Sequence, residues 1–165
     1  MDSPPLMLYC KGQIPEKRNC GIAIVGSRNL TPYGIQIARR LAYQIVRVGF
    51  GIISDGALGI SYPRSTVSSV AAEGITWAIM GSGLGWFHPP QKNLELLEKV
   101  MKKGLIPSEF PPGTAPSRST VLLKNRIISG LSIGVMVKAV QGRTSLLTAL
   151  NSSGTGQTTF YRSWS

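Results

Sequence analysis

Acidic side chains are scarce in this sequence: 7 Asp and Glu face 18 Lys and Arg, a formal net charge of +11 at pH 7. A chain of 165 residues suits one domain. At that size folding buries roughly 70% of the unfolded surface, so a core without covalent staples is feasible. Folding does not require the charge imbalance, which adds self-repulsion and attraction to polyanions. Nucleic acid, acidic lipid and nucleotide-like ligands are therefore the leading partners. The carboxylates (Asp2, Glu16, Asp55, Glu73, Glu95, Glu98 and Glu109) are mostly scattered, whereas a two-metal nuclease or polymerase gathers several at one point. One histidine, His88, and two cysteines, Cys10 and Cys20, supply neither a zinc ligand set nor a disulfide framework. No apolar run approaches about 18 residues. The opening MDSPPLMLY lacks a basic n-region, so neither a membrane span nor a signal peptide is expected. A reducing cytoplasm fits.

What the sequence does hold is alternation of strand-like and helix-like segments. Residues 22–25 form a β-branched run that ends in Gly26-Ser27-Arg28. Pro32 then opens a helix, since proline at the first helical position gives up an N–H that has no partner there. Ile35, Ala38, Leu41, Ala42 and Ile45 recur at helical spacing, with Gln36, Arg39, Arg40 and Arg47 on the wet side. Residues 50–54 read as the second strand, 63–73 as a helix, and 75–80 as a third strand entering a glycine-rich loop. An amphipathic helix runs from Gln91 to Lys103, its lysines near the end, where cations suit the helix dipole. A short strand at 105–106, a helix at 121–131, a strand at 133–137 and a last helix at 146–150 follow. Residues 1–20 read as a lead-in, 21–150 as the folded domain, and 151–165 as a tail with an edge strand at 158–161.

Strands alternating with helices predict an α/β fold: a doubly wound, mostly parallel sheet with helices on both faces. Ligands of such sheets lie outside the carboxyl ends of the strands. Attention therefore falls on the loops at 26–28, 54–59, 81–85 and 108–112.

In Gly26-Ser27-Arg28, glycine permits close backbone approach, the following helix offers N–H groups, and Arg28 adds a fork for phosphate. The bland alternative is a tight turn with a solvated arginine. Gly81-Ser82-Gly83-Leu84-Gly85 is phosphate-friendly, yet it is not G-x-G-x-x-G and has no acidic ribose partner at the expected distance. No G-K-[ST] appears, which excludes a P-loop, and no cofactor or metal is expected. Lys124-Asn125-Arg126 places two cations and an amide in one helical turn. Lys and Arg neutralise phosphates and Asn can read a base edge; the alternative is a helix with a basic outer face. Trp86, Phe87 and Phe110 lie on the same loops and are candidates for base stacking, or for packing beneath those loops.

Taken together, these segments resemble the Rossmann-like domain of the DNA processing protein A (DprA/Smf) family. The resemblance rests on Pro5-Leu6-Met7-Leu8-Tyr9-Cys10-Lys11-Gly12, on Ile22-Ala23-Ile24-Val25-Gly26-Ser27-Arg28, and on Thr31-Pro32-Tyr33-Gly34. It continues through Ser54 with Ala57-x-Gly59-Ile60, then Gly81-Ser82-Gly83-Leu84 and Ser108-Glu109-Phe110-Pro111. Asn125-Arg126-Ile127-Ile128-Ser129-Gly130-Leu131-Ser132 and Thr148-Ala149 complete the ordered set. It implies a cytoplasmic, non-enzymatic protein that binds single-stranded DNA, forms a homodimer and helps load a RecA-type recombinase in recombination and natural transformation. Departures from the family pattern are equally specific. Asp55 stands for a glycine, Ser61 for an aspartate, Ser65 for a histidine, Lys124 for an arginine, and Lys138 for an acid. Arg143-Thr144-Ser145 replaces a Ser-Gly-Ser turn.

The expected mode of binding is a positive groove. Arg28, Lys124 and Arg126 would touch phosphates, Asn125 a base, and the backbones of Gly26, Ser27, Gly81, Ser82 and Gly83 would approach the strand. Two alternatives stand beside it: a nucleotide-binding relative of the LOG-type phosphoribohydrolases, and a degenerate copy without binding. Against the first, the P-G-G-x-G-T-x-x-E motif is missing, because Gly154-Thr155-Gly156 is followed by no glutamate.

Overall fold

The computed structural model describes residues 3–14, 20–26, 32–56, 74–85, 91–138 and 158–162. The helices expected at 63–73 and 146–150 lie outside them. In chain order the elements are β1 (Tyr9–Gly12), β2 (Gly21–Gly26), α1 (Pro32–Arg47), β3 (Gly51–Asp55), β4 (Thr76–Ile79), α2 (Gln91–Lys103), β5 (Leu105–Ser108), α3 (Arg118–Leu131), β6 (Ser132–Lys138) and β7 (Thr158–Arg162).

All seven strands belong to one sheet in the order β1-β5-β4-β3-β2-β6-β7. Every pairing is parallel except that of β1 with β5, where Tyr9 opposes Ser108 and Gly12 opposes Leu105. The chain winds outward from β2 through β3, β4 and β5, then returns to lay β6 on the other side of β2. The order therefore reverses between β2 and β6, which makes their carboxyl ends the topological switch point.

Strand alternation sends successive side chains to opposite faces, and the core divides accordingly. On one face Ile127 and Ile128 of α3 cover Ala23, Val25, Ile53, Ile79 and Val135. On the other, Ala42 and Ile45 of α1 pack on Ile24 and Ile52. Leu97 and Val100 of α2 pack on Ala78, Met80 and Ile106, and register places Ala78 on the α1 side, because it pairs with Ser54, the neighbour of Ile53. Helices thus cover both faces. Each fully buried Ile or Val contributes about 1.5–3 kcal/mol of transfer free energy, so the strand centres supply most of the driving force.

The lead-in carries an element that its composition hides. β1 is short and mostly exposed, with only Tyr9 half-buried, and its polar YCKG gives no alternation to read. It adds to the outer edge of the sheet through backbone bonding to β5. Helix α3 begins three residues ahead of the expected start, because Ser117 caps it. The Ser117 side chain accepts from Thr120 N–H at 3.1 Å, and Thr120 Oγ1 accepts from Ser117 N–H at 2.9 Å, the reciprocal bonds of a capping box.

Candidate functional site

Register brings Gly26 and Lys138, both singled out in the sequence, to adjacent strand ends, and adds Arg162 beside them. Gly26 closes β2 opposite Lys138 of β6, and Lys138 lies opposite Arg162 of β7. The carboxyl edge on this side of the switch point thus ends in Lys138 and Arg162, with Arg28 two residues beyond Gly26 in sequence. Ser27 and Arg28 themselves lie outside the described residues, as do Trp86, Phe87, Ser61, Ser65 and Arg143.

Across the switch point the structure departs from the expected groove. Lys124 is not on the outer face of α3 but at 0% exposure, its Nζ 2.7 Å from Asp55 Oδ1 and donating to Asn125 Oδ1 at 3.2 Å. Asn125 is buried as well. In this geometry neither can reach a phosphate or a base, so the sequence expectation for both is corrected. The reason is the phase of α3. Lys124, Ile127 and Ile128 lie at i, i+3 and i+4, one face of a helix, and the two isoleucines are the apolar anchor of that face. The outward positions go instead to Leu122 and Leu123, which are exposed. Two departures from the family pattern, Asp55 and Lys124, therefore touch. Burying an ammonium is tolerable only with a paired counter-charge and hydrogen bonds, and Asp55 and Asn125 provide both.

The glycine-rich loop after β4 is likewise used internally. Gly81, Ser82 and Gly83 are all buried. Thr120 Oγ1 donates to Gly81 O at 2.6 Å, so the hydroxyl that completes the helix cap also ties α3 to this loop. Ser108 Oγ donates to Ser82 O at 2.7 Å and accepts from Phe110 N–H at 3.0 Å. Gly83 N–H donates to Thr114 O at 2.9 Å. At Gly81 a Cβ would stand 3.1 Å from Lys124 Cδ; at Gly83 it would overlap Pro111 O. These glycines admit α3 and the proline-rich loop rather than a ligand, which corrects the expectation that their backbones approach a strand.

Arg126 is only partly buried, and its Nη2 donates to Glu109 Oε1 on the loop after β5; the two side chains are 21% and 23% exposed. Phe110, beside it, is half-buried. The structure thus groups Lys124, Asn125, Asp55, Gly81, Ser82 and Gly83 as an interior polar cluster, with Arg126 and Phe110 at its rim. Asp55 is the member that motifs alone undervalue. Its place at the end of β3, one strand from the switch point, is the signal that points to it.

With the fold and these contacts in view, the relationships of the chain follow. The family model for DNA recombination-mediator protein A matches residues 1–161. The chain belongs to that family. It is 37% identical over 149 residues to protein Smf of Synechocystis, covering 88% of this chain and 37% of that protein. It is 38% identical over 161 residues to the DNA processing protein DprA of Bacillus subtilis, covering 95% of this chain and 53% of the relative. The chain thus spans about a third to a half of these relatives' length. Among solved structures, DNA processing protein A of Helicobacter pylori, studied for its single-stranded DNA binding mode, superposes with a TM-score of 0.82 at 26% identity. That match covers 96% of this chain and 73% of the other. Among the described residues no helix is long and apolar enough to cross a membrane.

Proposed function

We propose that this chain binds single-stranded DNA along the carboxyl ends of its parallel strands and serves DNA processing in recombination and transformation without covalent catalysis. The observation that carries this reading is membership of the DNA recombination-mediator protein A family over residues 1–161. The Helicobacter pylori relative, whose single-stranded DNA binding mode has been described, supplies the ligand class. Charge supports it: the chain carries +11, and Lys138 and Arg162 end neighbouring strands. Arg28 is the principal phosphate contact, with the backbones of Gly26 and Ser27 beside it. Arg126, held by Glu109, and Phe110 form the far rim; Trp86 and Phe87 are stacking candidates by residue type. In this role the chain acts as a cytoplasmic homodimer that passes the strand to a RecA-type recombinase.

The test is a filter-binding titration at ~150 mM salt, where the Debye length is about 8 Å and diffuse attraction is screened. A single strand should bind more tightly than a blunt duplex of the same length. Equal or tighter duplex binding contradicts the reading. Release of adenine from AMP above an Arg28→Ala control would favour the phosphoribohydrolase alternative instead.

A further inference from the structure

Between Lys17 and Ser54 the sequence holds no Asp or Glu, while Arg28, Arg39, Arg40 and Arg47 fall inside that stretch. Most of it is α1. The helix buries Ala38, Ala42 and Ile45 against the sheet and turns a different set of side chains outward. Tyr33, Gln36, Arg40, Tyr43 and Arg47 follow at steps of three, four, three and four, which aligns them on one exposed stripe. Tyr33 and Tyr43 are 53% and 50% exposed, unusual for aromatic side chains on a helix whose apolar face is already covered. The Arg47 guanidinium lies over the Tyr43 ring, 6.0 Å from its centroid, near the outer limit of a cation–π contact. Among the described residues, Arg39, Arg40 and Arg47 take part in no ion pair.

Arginines alternating with exposed rings, without an acid among them, match the chemistry of a single strand: guanidinium forks for phosphates and aromatic faces for unstacked bases. The stripe begins at the amino end of α1, a few residues after Gly26 closes β2, so it starts beside the carboxyl-end groove. A helix of 16 residues is about 24 Å long at 1.5 Å per residue, and it leads away from that groove toward the opposite end of the sheet. We propose that the outer face of α1 is a second contact track for single-stranded nucleic acid, continuing the path of a strand that leaves the groove. The track rests on the single-strand reading above, and it adds a surface that the strand-end loops do not include. An anionic membrane is the competing partner for a basic helix, but the apolar face of α1 is packed on the sheet and cannot insert.

The experiment compares oligo-dT of about 6 nucleotides, within the typical range of single-strand site sizes, and of about 30, well beyond it, together with phosphatidylserine vesicles, on the wild-type chain and on three variants. For the long strand, Tyr43→Ala should weaken binding about fivefold or more, the equivalent of removing one stacked base, and Tyr43→Phe should restore it. Arg40→Gln with Arg47→Gln should lower the slope of log K against log[salt] by roughly 0.7 for each phosphate that is no longer neutralised. The short strand, held by the groove, should bind all variants alike. Unchanged binding of the long strand by the variants overturns the track while leaving the groove intact. Equal weakening on both lengths overturns its separateness. Weakening confined to phosphatidylserine vesicles assigns the stripe to a membrane and overturns the proposal. No binding of either strand by the wild-type chain overturns both this and the function it rests on.

Discussion

Asp55→Asn should destabilise the fold by about 3 kcal/mol, the lower part of the range for removing one partner of a buried ion pair. The thermal midpoint should fall by roughly 6–12 °C, at about 2–4 °C per kcal/mol for a chain of this size. The asymmetry of the pair sharpens the expectation. Lys124 has no exposure, whereas the Asp55 side chain retains 29%. Neutralising Asp55 strands an ammonium in the interior without a counter-charge among the described residues; the amide oxygens of Asn125 and of the substituted side chain can accept from it but do not neutralise it. Lys124→Met instead removes the buried charge and keeps an unbranched chain against Gly81, leaving an aspartate that water can still reach. That change should cost about 1 kcal/mol or less, since apolar replacement of a buried pair is often neutral. The double variant should recover most of the stability that Asp55→Asn removes, a coupling that a double-mutant cycle reads directly. If Lys124→Met proves as costly as Asp55→Asn and the two simply add, the pair is not the element that makes this lysine tolerable.

Gly83→Ala should be the next most damaging change. The atoms a methyl group would meet are all backbone: it would overlap Pro111 O and stand 2.7 Å from Thr114 N and 2.9 Å from Pro111 C, so no side chain can rotate away. The proline-rich loop must move, at about 1–3 kcal/mol for overpacking. The hydrogen bond from Gly83 N–H to Thr114 O goes with it, at about 1 kcal/mol. Chemical denaturation should show a lower midpoint with the slope unchanged. Stability equal to wild type would mean that the loop after β4 and the proline-rich loop are not locked together as their contacts indicate.

How far the sequence reveals this molecule depends on which force sets each feature. The ends of α1 and α2 are legible because Pro32, and the lysines before Gly104, mark them chemically. The central strands are legible within a residue because β-branched runs such as Ile22-Ala23-Ile24-Val25 are bounded by glycine and polar residues. β1 is not legible, because an edge strand held by backbone bonds needs no side-chain pattern. The start of α3 is obscured because Ser117, Arg118, Ser119 and Thr120 have the composition of a loop, although Ser and Thr three apart are a cap.

The candidate site is legible as a place and not as a set of contacts. Topology places it at the carboxyl ends, and the sheet order puts the switch point there. Residue type then misleads. Polarity assigns lysine and asparagine to the surface, while the spacing of Lys124 to Ile127 and Ile128 assigns it to the core. Only the neighbouring carboxylate, Asp55, makes that burial tolerable, and a contact between positions 55 and 124 is not a local sequence property.

The proposed phosphate-binding groove is tested most directly by salt dependence. Arg28 follows the end of β2 at the carboxyl edge. Lys102 and Lys103 end α2, two residues before β5 begins, and so belong to the amino ends of the strands. Arg28→Ala should weaken single-strand binding and lower the slope of log K against log[salt] by roughly 0.7, the value for one phosphate of a single strand left without its cation. Lys102→Ala combined with Lys103→Ala removes more charge and should change both quantities less. A double lysine variant that binds more weakly than Arg28→Ala, with the larger drop in slope, would show that affinity follows total charge and would contradict a groove at the carboxyl ends.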